Sequence, residues 1–247
     1  MVRKRELTVG IIVLLIATLA YLFGWTNIFT VKKLEIIGAP NPAITNTVIR
    51  FSDVRVGQKL ARVEPRNIEG KLISSGIDWL ESVDISRNWI SGKVVIDLKP
   101  REAVATTGDR FVDPSGFLFL SPVEIKEKLP ELVGKSMQER ADGIKLYQRL
   151  PDSFQSQVIK IVASSQDNFQ FYVEISGLKK SGAKDSSNSS NSSNSSNSSK
   201  LRVIKINWGS PRDSDVKFKI YKALLELPEN NQIKSMDLSD PTKPSVR

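Results

Sequence analysis

Leu80-Glu81-Ser82-Val83-Asp84-Ile85-Ser86, continued after Arg87-Asn88-Trp89-Ile90-Ser91-Gly92-Lys93 by Val94-Val95-Ile96-Asp97-Leu98, reads as two strands joined by a turn. Val83 and Ile85 alternate with charges in the first run, and Val94, Ile96 and Leu98 recur at every second position in the second. Successive side chains on a strand point to opposite faces, so each run buries one face and leaves the other to water. Upstream, Pro65 fits the first turn of a helix, where a missing N–H costs nothing. Ile68, Leu72 and Ile73 give that helix an apolar face, and Ser74-Ser75-Gly76 ends it. A shorter helix is expected over 44–51, with Ile44, Val48 and Phe51 at helical spacing. Before it, Val31-Lys32-Lys33-Leu34-Glu35-Ile36-Ile37-Gly38 reads as a strand stopped by Gly38 and the turn-forming Pro40-Asn41-Pro42. The order strand, helix, helix, strand, strand makes this region α+β.

Further upstream lies an uninterrupted apolar run, Leu7 to Trp25, with no charge between Glu6 and Lys32. About 20 apolar residues at about 1.5 Å each cover a hydrocarbon core of about 30 Å. The expectation is a single transmembrane helix over 7–25, with Leu14, Leu15 and Ile16 at its centre and Tyr21 and Trp25 at the far interface. Arg3, Lys4 and Arg5 would keep a cytoplasmic tail, residues 1–6, inside and leave the rest of the chain outside. A cleaved signal peptide shares the basic start. Its small-residue site, however, would have to be Ala17-Thr18-Leu19-Ala20, within the apolar run rather than after it.

Composition removes several chemistries. The chain has no cysteine and no histidine. Disulfides, thiolate metal sites, Ser-His-Asp and Cys-His nucleophile systems and His-based zinc sites are thereby excluded. The net charge of +9 arises from 36 basic and 27 acidic residues. The cations are dispersed among the acids rather than gathered along a groove, which argues against nucleic acid. Neither a Gly-x-x-x-x-Gly-Lys phosphate loop nor a Gly-x-Gly-x-x-Gly fingerprint occurs, and no cofactor is expected.

Downstream, Phe111-Val112-Asp113-Pro114-Ser115-Gly116-Phe117-Leu118-Phe119 reads as strand, turn, strand. A helix is expected over 137–149, with Ala141, Ile144 and Tyr147 inward, followed by strands over 158–162 and 169–175. Residues 185–199 repeat Asn-Ser-Ser without an apolar side chain and are expected to be disordered. The repeat carries sequons at Asn188, Asn191, Asn194 and Asn197, read as plain low complexity rather than glycan sites. Leu201 to Gly209 resembles a known family strand that pairs with the one before it, which would make the repeat a loop inserted at a hairpin tip rather than a linker between domains; lengthening such a loop costs roughly 1–2 kcal/mol. Near the end, Pro211-Arg212-Asp213-Ser214-Asp215 offers a helix start, and Val216, Ile220, Ala223, Leu224 and Leu227 mark the face expected to be buried, up to Pro228.

Several of these pieces, in this order, resemble one family. They are Val31 to Gly38, Val56-Gly57-Gln58-Lys59-Leu60, Trp79 to Trp89, Lys99-Pro100-Arg101-Glu102-Ala103-Val104-Ala105, Leu129-Pro130-Glu131-Leu132-Val133-Gly134 and Ile233 to Arg247. Together they resemble the FtsQ/DivIB family of bacterial cell-division proteins, over nearly the whole chain. The chain departs from the family pattern at Ile90, where the family usually has Pro, and at Lys99-Pro100-Arg101-Glu102, where it has Glu-Arg-x-Pro. The resemblance implies an α+β fold with a single N-terminal transmembrane helix, a POTRA domain (β-α-α-β-β) over 29–100 and a mixed beta domain over 101–247.

The function so implied is that of a membrane-anchored divisome scaffold, without catalytic activity, that helps to control septal cell-wall synthesis. Its partners would be FtsB/FtsL-like single-pass division proteins, bound by strand addition at the beta-domain edge. Other divisome proteins would bind through the POTRA domain, with the lipid bilayer as a further partner. The edge residues are Leu238, Ser239, Asp240, Thr242, Ser245, Val246 and Arg247. The implied location is the bacterial plasma membrane at the division septum, single pass with the N-terminus cytoplasmic. Pro241 and Pro244 each remove a ladder donor, so pairing must use the other edge face or the residues around Ser245 to Arg247. Two alternatives stay open: an anchored POTRA chaperone or secretion component, and an exported wall hydrolase using Asp113 and Glu102. In Asp-Pro-Ser-Gly, however, Asp113 also fits a turn-capping role.

Overall fold

Alternating apolar residues at Val83, Ile85, Val94, Ile96 and Leu98 build the sheet of the first of two units, Met1–Arg101 with Pro122–Glu124. The second unit is Glu102–Ser121 with Ile125–Arg247. The computed structural model describes residues 2–25, 29–176 and 201–247, with side chains in the N-terminal helix from 6 to 21.

In the first unit, β1 (Lys33–Ile37), α2 (Pro42–Ser52), α3 (Pro65–Ser74), β2 (Leu80–Asn88) and β3 (Lys93–Pro100) follow one another. The sheet order is β1-β3-β2, with β1 parallel and β2 antiparallel to β3. Val94, Ile96 and Leu98 of the central strand are buried, as are Val48, Leu60, Ile68 and Leu72. The α2 helix starts where the Asn41 side chain accepts from the Ile44 N–H at 3.0 Å and Pro42 takes the first turn. Of the expected α3 face, Ile68 and Leu72 are buried while Ile73 is exposed. Four residues bring a side chain back over the previous turn, and the fifth swings it off the stripe. At the β2–β3 turn the Ile90 and Ser91 N–H groups donate to Asn88 Oδ1 at 3.0 and 2.9 Å. Proline at position 90 would lack that donor.

Gly38 ends β1 at φ 78°, and a Cβ there would lie on the Leu98 carbonyl oxygen of the neighbouring strand. Gly38→Ala is therefore expected to destabilise the first unit by about 2–3 kcal/mol, from left-handed strain and a backbone clash together. A urea midpoint unchanged from wild type would contradict that geometry.

The N-terminal helix α1 runs Val2–Trp25, and the side chains of Leu14, Leu15, Ile16 and Tyr21 are exposed. The side chain of Trp25 lies outside the described residues. Among the described residues no helix is long and apolar enough to cross a membrane. This corrects the expected transmembrane anchor and, with it, the expected single-pass placement in the plasma membrane.

The second unit is a mixed nine-stranded sheet of order β12-β11-β10-β9-β8-β7-β4-β5-β6. Its strands are β4 (Ala105–Thr107), β5 (Arg110–Val112), β6 (Leu118–Phe119), β7 (Glu131–Val133), β8 (Val158–Ser165), β9 (Asn168–Ser176), β10 (Leu201–Gly209), β11 (Ser235–Asp237) and β12 (Ser245–Val246). Three of the pairings, β4 with β7, β7 with β8 and β10 with β11, are parallel. β9 and β10 pair antiparallel from Ser176↔Leu201 onward, so residues 177–200 connect neighbouring strands. The expectation of disorder over 185–199, and the sequons within it, lie outside the described residues.

Three helices complete this unit: α4 (Met137–Arg149), α5 (Asp152–Gln155) and α6 (Ser214–Glu226). A capping box starts α4. Ser136 Oγ accepts from the Glu139 N–H at 3.1 Å, and Glu139 Oε2 accepts from the Ser136 N–H at 3.3 Å. Gly143 lets α4 lie close to the sheet, since a Cβ there would meet Ala163 at 3.1 Å and Leu132 at 3.3 Å. The buried face of α6 keeps Ile220 and Leu224 of the expected one, both packed against the core, and differs elsewhere. Lys217 and Tyr221 are buried, whereas Val216 and Leu227 are exposed. A hydrophobicity pattern assigns lysine to water, so it rotates the helix away from its true contact line.

Candidate partner-binding edge

The C-terminal residues expected to bind a partner form the last layers of the nine-stranded sheet. β11 lies parallel to β10, with Lys205↔Ser235, Ile206↔Met236 and Asn207↔Asp237, and β12 lies antiparallel to β11, with Met236↔Val246 and Asp237↔Ser245. The turn between them is held by two aspartates. Asp237 Oδ1 accepts from the Ser239 N–H at 2.9 Å and the Ser239 hydroxyl at 2.7 Å. Asp240 Oδ1 accepts from the Thr242 N–H at 2.9 Å and the Thr242 hydroxyl at 2.7 Å. Such side-chain bonds to backbone two residues on are what Asp supplies to turns.

These bonds also set the charge of the turn. Burial works against ionisation of Asp237, yet hydrogen bonds from Ser239 and Asn207 and the charge of Arg247 hold its carboxyl below the ordinary value. The Thr242 hydroxyl and amide lower that of Asp240, against a smaller effect of burial and with help from Lys217. Both groups favour the folded turn above their ordinary value of 3.8 and lose that contribution as pH falls through their lowered native values.

The register decides which backbone groups of β12 face outward. The Arg247 N–H donates to the Ser235 carbonyl at 3.0 Å, and the Ser235 N–H donates back to the Arg247 carbonyl at 3.0 Å. In an antiparallel pair such double-bonded positions alternate with positions whose groups point away. Arg247 and Ser245 therefore bond inward to β11, and Val246 directs its N–H and C=O to the open side. Pro244 shares the parity of Val246, so its missing N–H falls on the open side, where an edge tolerates it. The open edge offers one N–H, from Val246, flanked by carbonyls.

The side chains divide by face. Leu238 is 0% exposed and belongs to the core with Met236, so it supports the edge from within. Val246 is half-buried against the same core. Ser239, Asp240, Thr242, Ser245 and Arg247 are exposed. Ser245 and Arg247 line a polar hollow of about 230 Å³ with Lys205, Asn207, Ser235 and Asp237. A partner strand laid on β12 would meet backbone at Val246 and these polar side chains on the outer face.

The two acids considered for catalysis have different surroundings. Asp113 is buried, and its Oδ1 accepts from the Ser115 N–H at 2.9 Å, the Ser115 hydroxyl at 2.6 Å and the Phe117 N–H at 3.0 Å. It caps the turn between β5 and β6. Glu102 is exposed. Among the described residues no group of three or more acidic side chains is placed to hold a metal ion.

Sequence reasoning missed Lys217, which is 1% exposed and donates from Nζ to the carbonyls of Trp208 and Ser210, both at 2.8 Å. No sequence signal separates it from the solvated lysines of α6. No protein-family model matches the chain, and no curated protein matches it.

Proposed function

We propose that this chain is a non-catalytic scaffold of the bacterial division machinery, of the FtsQ/DivIB type. It recruits an FtsB-like partner by strand addition at β12 and thereby helps to control septal wall synthesis. The resemblance of the sequence pieces supports this reading, as does the β-α-α-β-β order of the first unit. The observation that carries it is the β12 register: an edge strand with an outward N–H at Val246 is a ready acceptor for another chain's strand.

The register yields a sharper test than truncation alone. Val246→Pro deletes the outward donor while leaving the bonds of Arg247 to Ser235 in place. It is expected to weaken co-purification with an FtsB-like coiled-coil partner at least tenfold, with little change in thermal midpoint. Truncation before Asp240 should abolish co-purification. Full binding by the truncated chain would remove the edge from the proposal, and full binding by Val246→Pro would remove the strand-addition mode.

A further inference from the structure

The two most exposed large apolar side chains among the described residues are Ile90, at 92%, and Val56, at 70%. Both sit on turns of the first unit, and one peptide group joins those turns. The Val31 carbonyl accepts from the Gly57 N–H at 2.7 Å, and the Lys32 N–H donates to the Gly92 carbonyl at 2.8 Å. In a trans peptide these two groups point opposite ways, so the turns flank the same stretch of chain from either side.

Neither turn is free to fold its tip inward. The Gln58 N–H donates to the Arg55 carbonyl and the Arg55 N–H to Gln58 Oε1, both at 3.1 Å. The Gly92 N–H donates to the Asn88 carbonyl at 2.9 Å, and Asn88 Oδ1 holds the Ile90 and Ser91 amides. Apolar side chains scattered singly over a surface are ordinary. Two on adjoining, hydrogen-bonded turns are a feature of the surface.

The three segments that meet here, 29–33, 55–59 and 87–93, contain no acid. They bring together Lys32, Lys33, Arg55, Lys59 and Lys93, cations that lie far apart in the sequence. Two carboxylates pair within this group: Glu35 with Lys33 and Lys93, and Asp53 with Arg55, each at 3.1 Å. The balance around the two tips is positive. Aliphatic tips within a basic collar match a bilayer surface, where apolar groups enter the headgroup boundary and cations meet anionic lipid. A nucleic acid would meet the same cations, yet Val56 and Ile90 offer its bases no ring to stack on.

We infer that this end of the first unit docks on the surface of an anionic lipid bilayer, with Ile90 and Val56 entering the headgroup layer. The contact is peripheral and needs no helix that crosses the bilayer. It lies in the other unit from β12, so its failure would leave the strand-addition reading untouched.

Methyl nuclear magnetic resonance of the full chain tests it, with bicelles that carry a nitroxide on the lipid chain. The exposed apolar side chains of α1 make total lipid binding uninformative, so the readout is taken at the tips. The Ile90 and Val56 methyl signals are expected to broaden in phosphatidylcholine–phosphatidylglycerol bicelles and at least fivefold less in phosphatidylcholine alone. Val133 and Val203, exposed on the second unit, should stay sharp. Lys32→Glu combined with Arg55→Glu reverses two exposed cations. One basic side chain near such a surface is worth about fivefold in binding, so the pair should lose at least that much of the broadening. Unchanged shifts of the buried Val94 and Ile96 methyls check that the variant is folded. Equal broadening in the two bicelles, broadening as strong at Val133 and Val203, absence of broadening at either tip, or broadening undiminished in the folded variant overturns the inference.

Discussion

Phe154→Ala is expected to lower the unfolding free energy of the second unit by about 3–5 kcal/mol, the range for removing a fully buried aromatic ring. Phe154 is 0% exposed, and its ring centroid lies 5.1 Å from Tyr221, 5.5 Å from Phe171, 5.6 Å from Trp208 and 6.1 Å from Phe218. Three of these contacts are edge-to-face, the arrangement in which aromatic quadrupoles attract. Deleting the ring opens a void among side chains from β9, β10 and α6, none of which can collapse into it without leaving its own element. Trp208 fluorescence during guanidinium unfolding reads the change beside the void. The midpoint should fall with the slope unchanged. A loss of about 1 kcal/mol or less would mean that the neighbouring rings close the gap, and that the cluster is not the joint between helix and sheet.

Phe154 was invisible to pattern reading because α5 has four residues and no period can be drawn through them. The same cause hid other parts of the second unit. β5 and β6, equally short, are legible from the turn signal at 113–116, but β4, β7 and β11 have three residues each and β12 has two, too few for alternation to show. Their places in the sheet come from partners distant in sequence, such as Thr106↔Glu131 and Met236↔Val246. By contrast, α3, α4, β2, β3 and β10 are long enough to display their buried stripe, and their limits fall near those read from the residues. The candidate edge was placed by resemblance rather than by periodicity. What the residues alone could not supply was its parity, because whether Val246 or Ser245 points outward depends on the pairing of Arg247 with Ser235. The expected anchor rested on hydropathy with its basic and aromatic flanks, and among the described residues no helix is long and apolar enough to cross a membrane.

Lys217→Met should destabilise the second unit by about 2–3 kcal/mol, an effect that no hydrophobicity scale would assign to replacing a lysine with an apolar side chain of similar length. The carbonyls that Lys217 Nζ satisfies, those of Trp208 and Ser210, flank Gly209, which sits at φ 67°. A Cβ on Gly209 would meet Ser239 Cβ at 2.7 Å, so the end of β10 and the connection from β11 to β12 touch at this point. Methionine fills the space but donates nothing, leaving two shielded carbonyls at about 1–3 kcal/mol each, partly offset by no longer burying an amine. Burial draws the Lys217 pKa below its ordinary 10.5, while Asp213, Asp237 and Asp240 pull it upward. Between the lowered native value and 10.5 the unfolded chain binds more protons than the native one. Wild-type stability should therefore gain a contribution with rising pH in that window, and the methionine variant should lack it. The neutral amine keeps two N–H groups, one for each carbonyl, so deprotonation does not break the clasp. Denaturant midpoints at neutral pH and just below pH 10.5 separate the two effects: the methionine deficit should widen toward the alkaline end. An equal deficit at both would show that the lysine is charged in the native state throughout. No deficit at either would mean that water reaches the two carbonyls, and that the β11–β12 edge keeps its place without the buried amine.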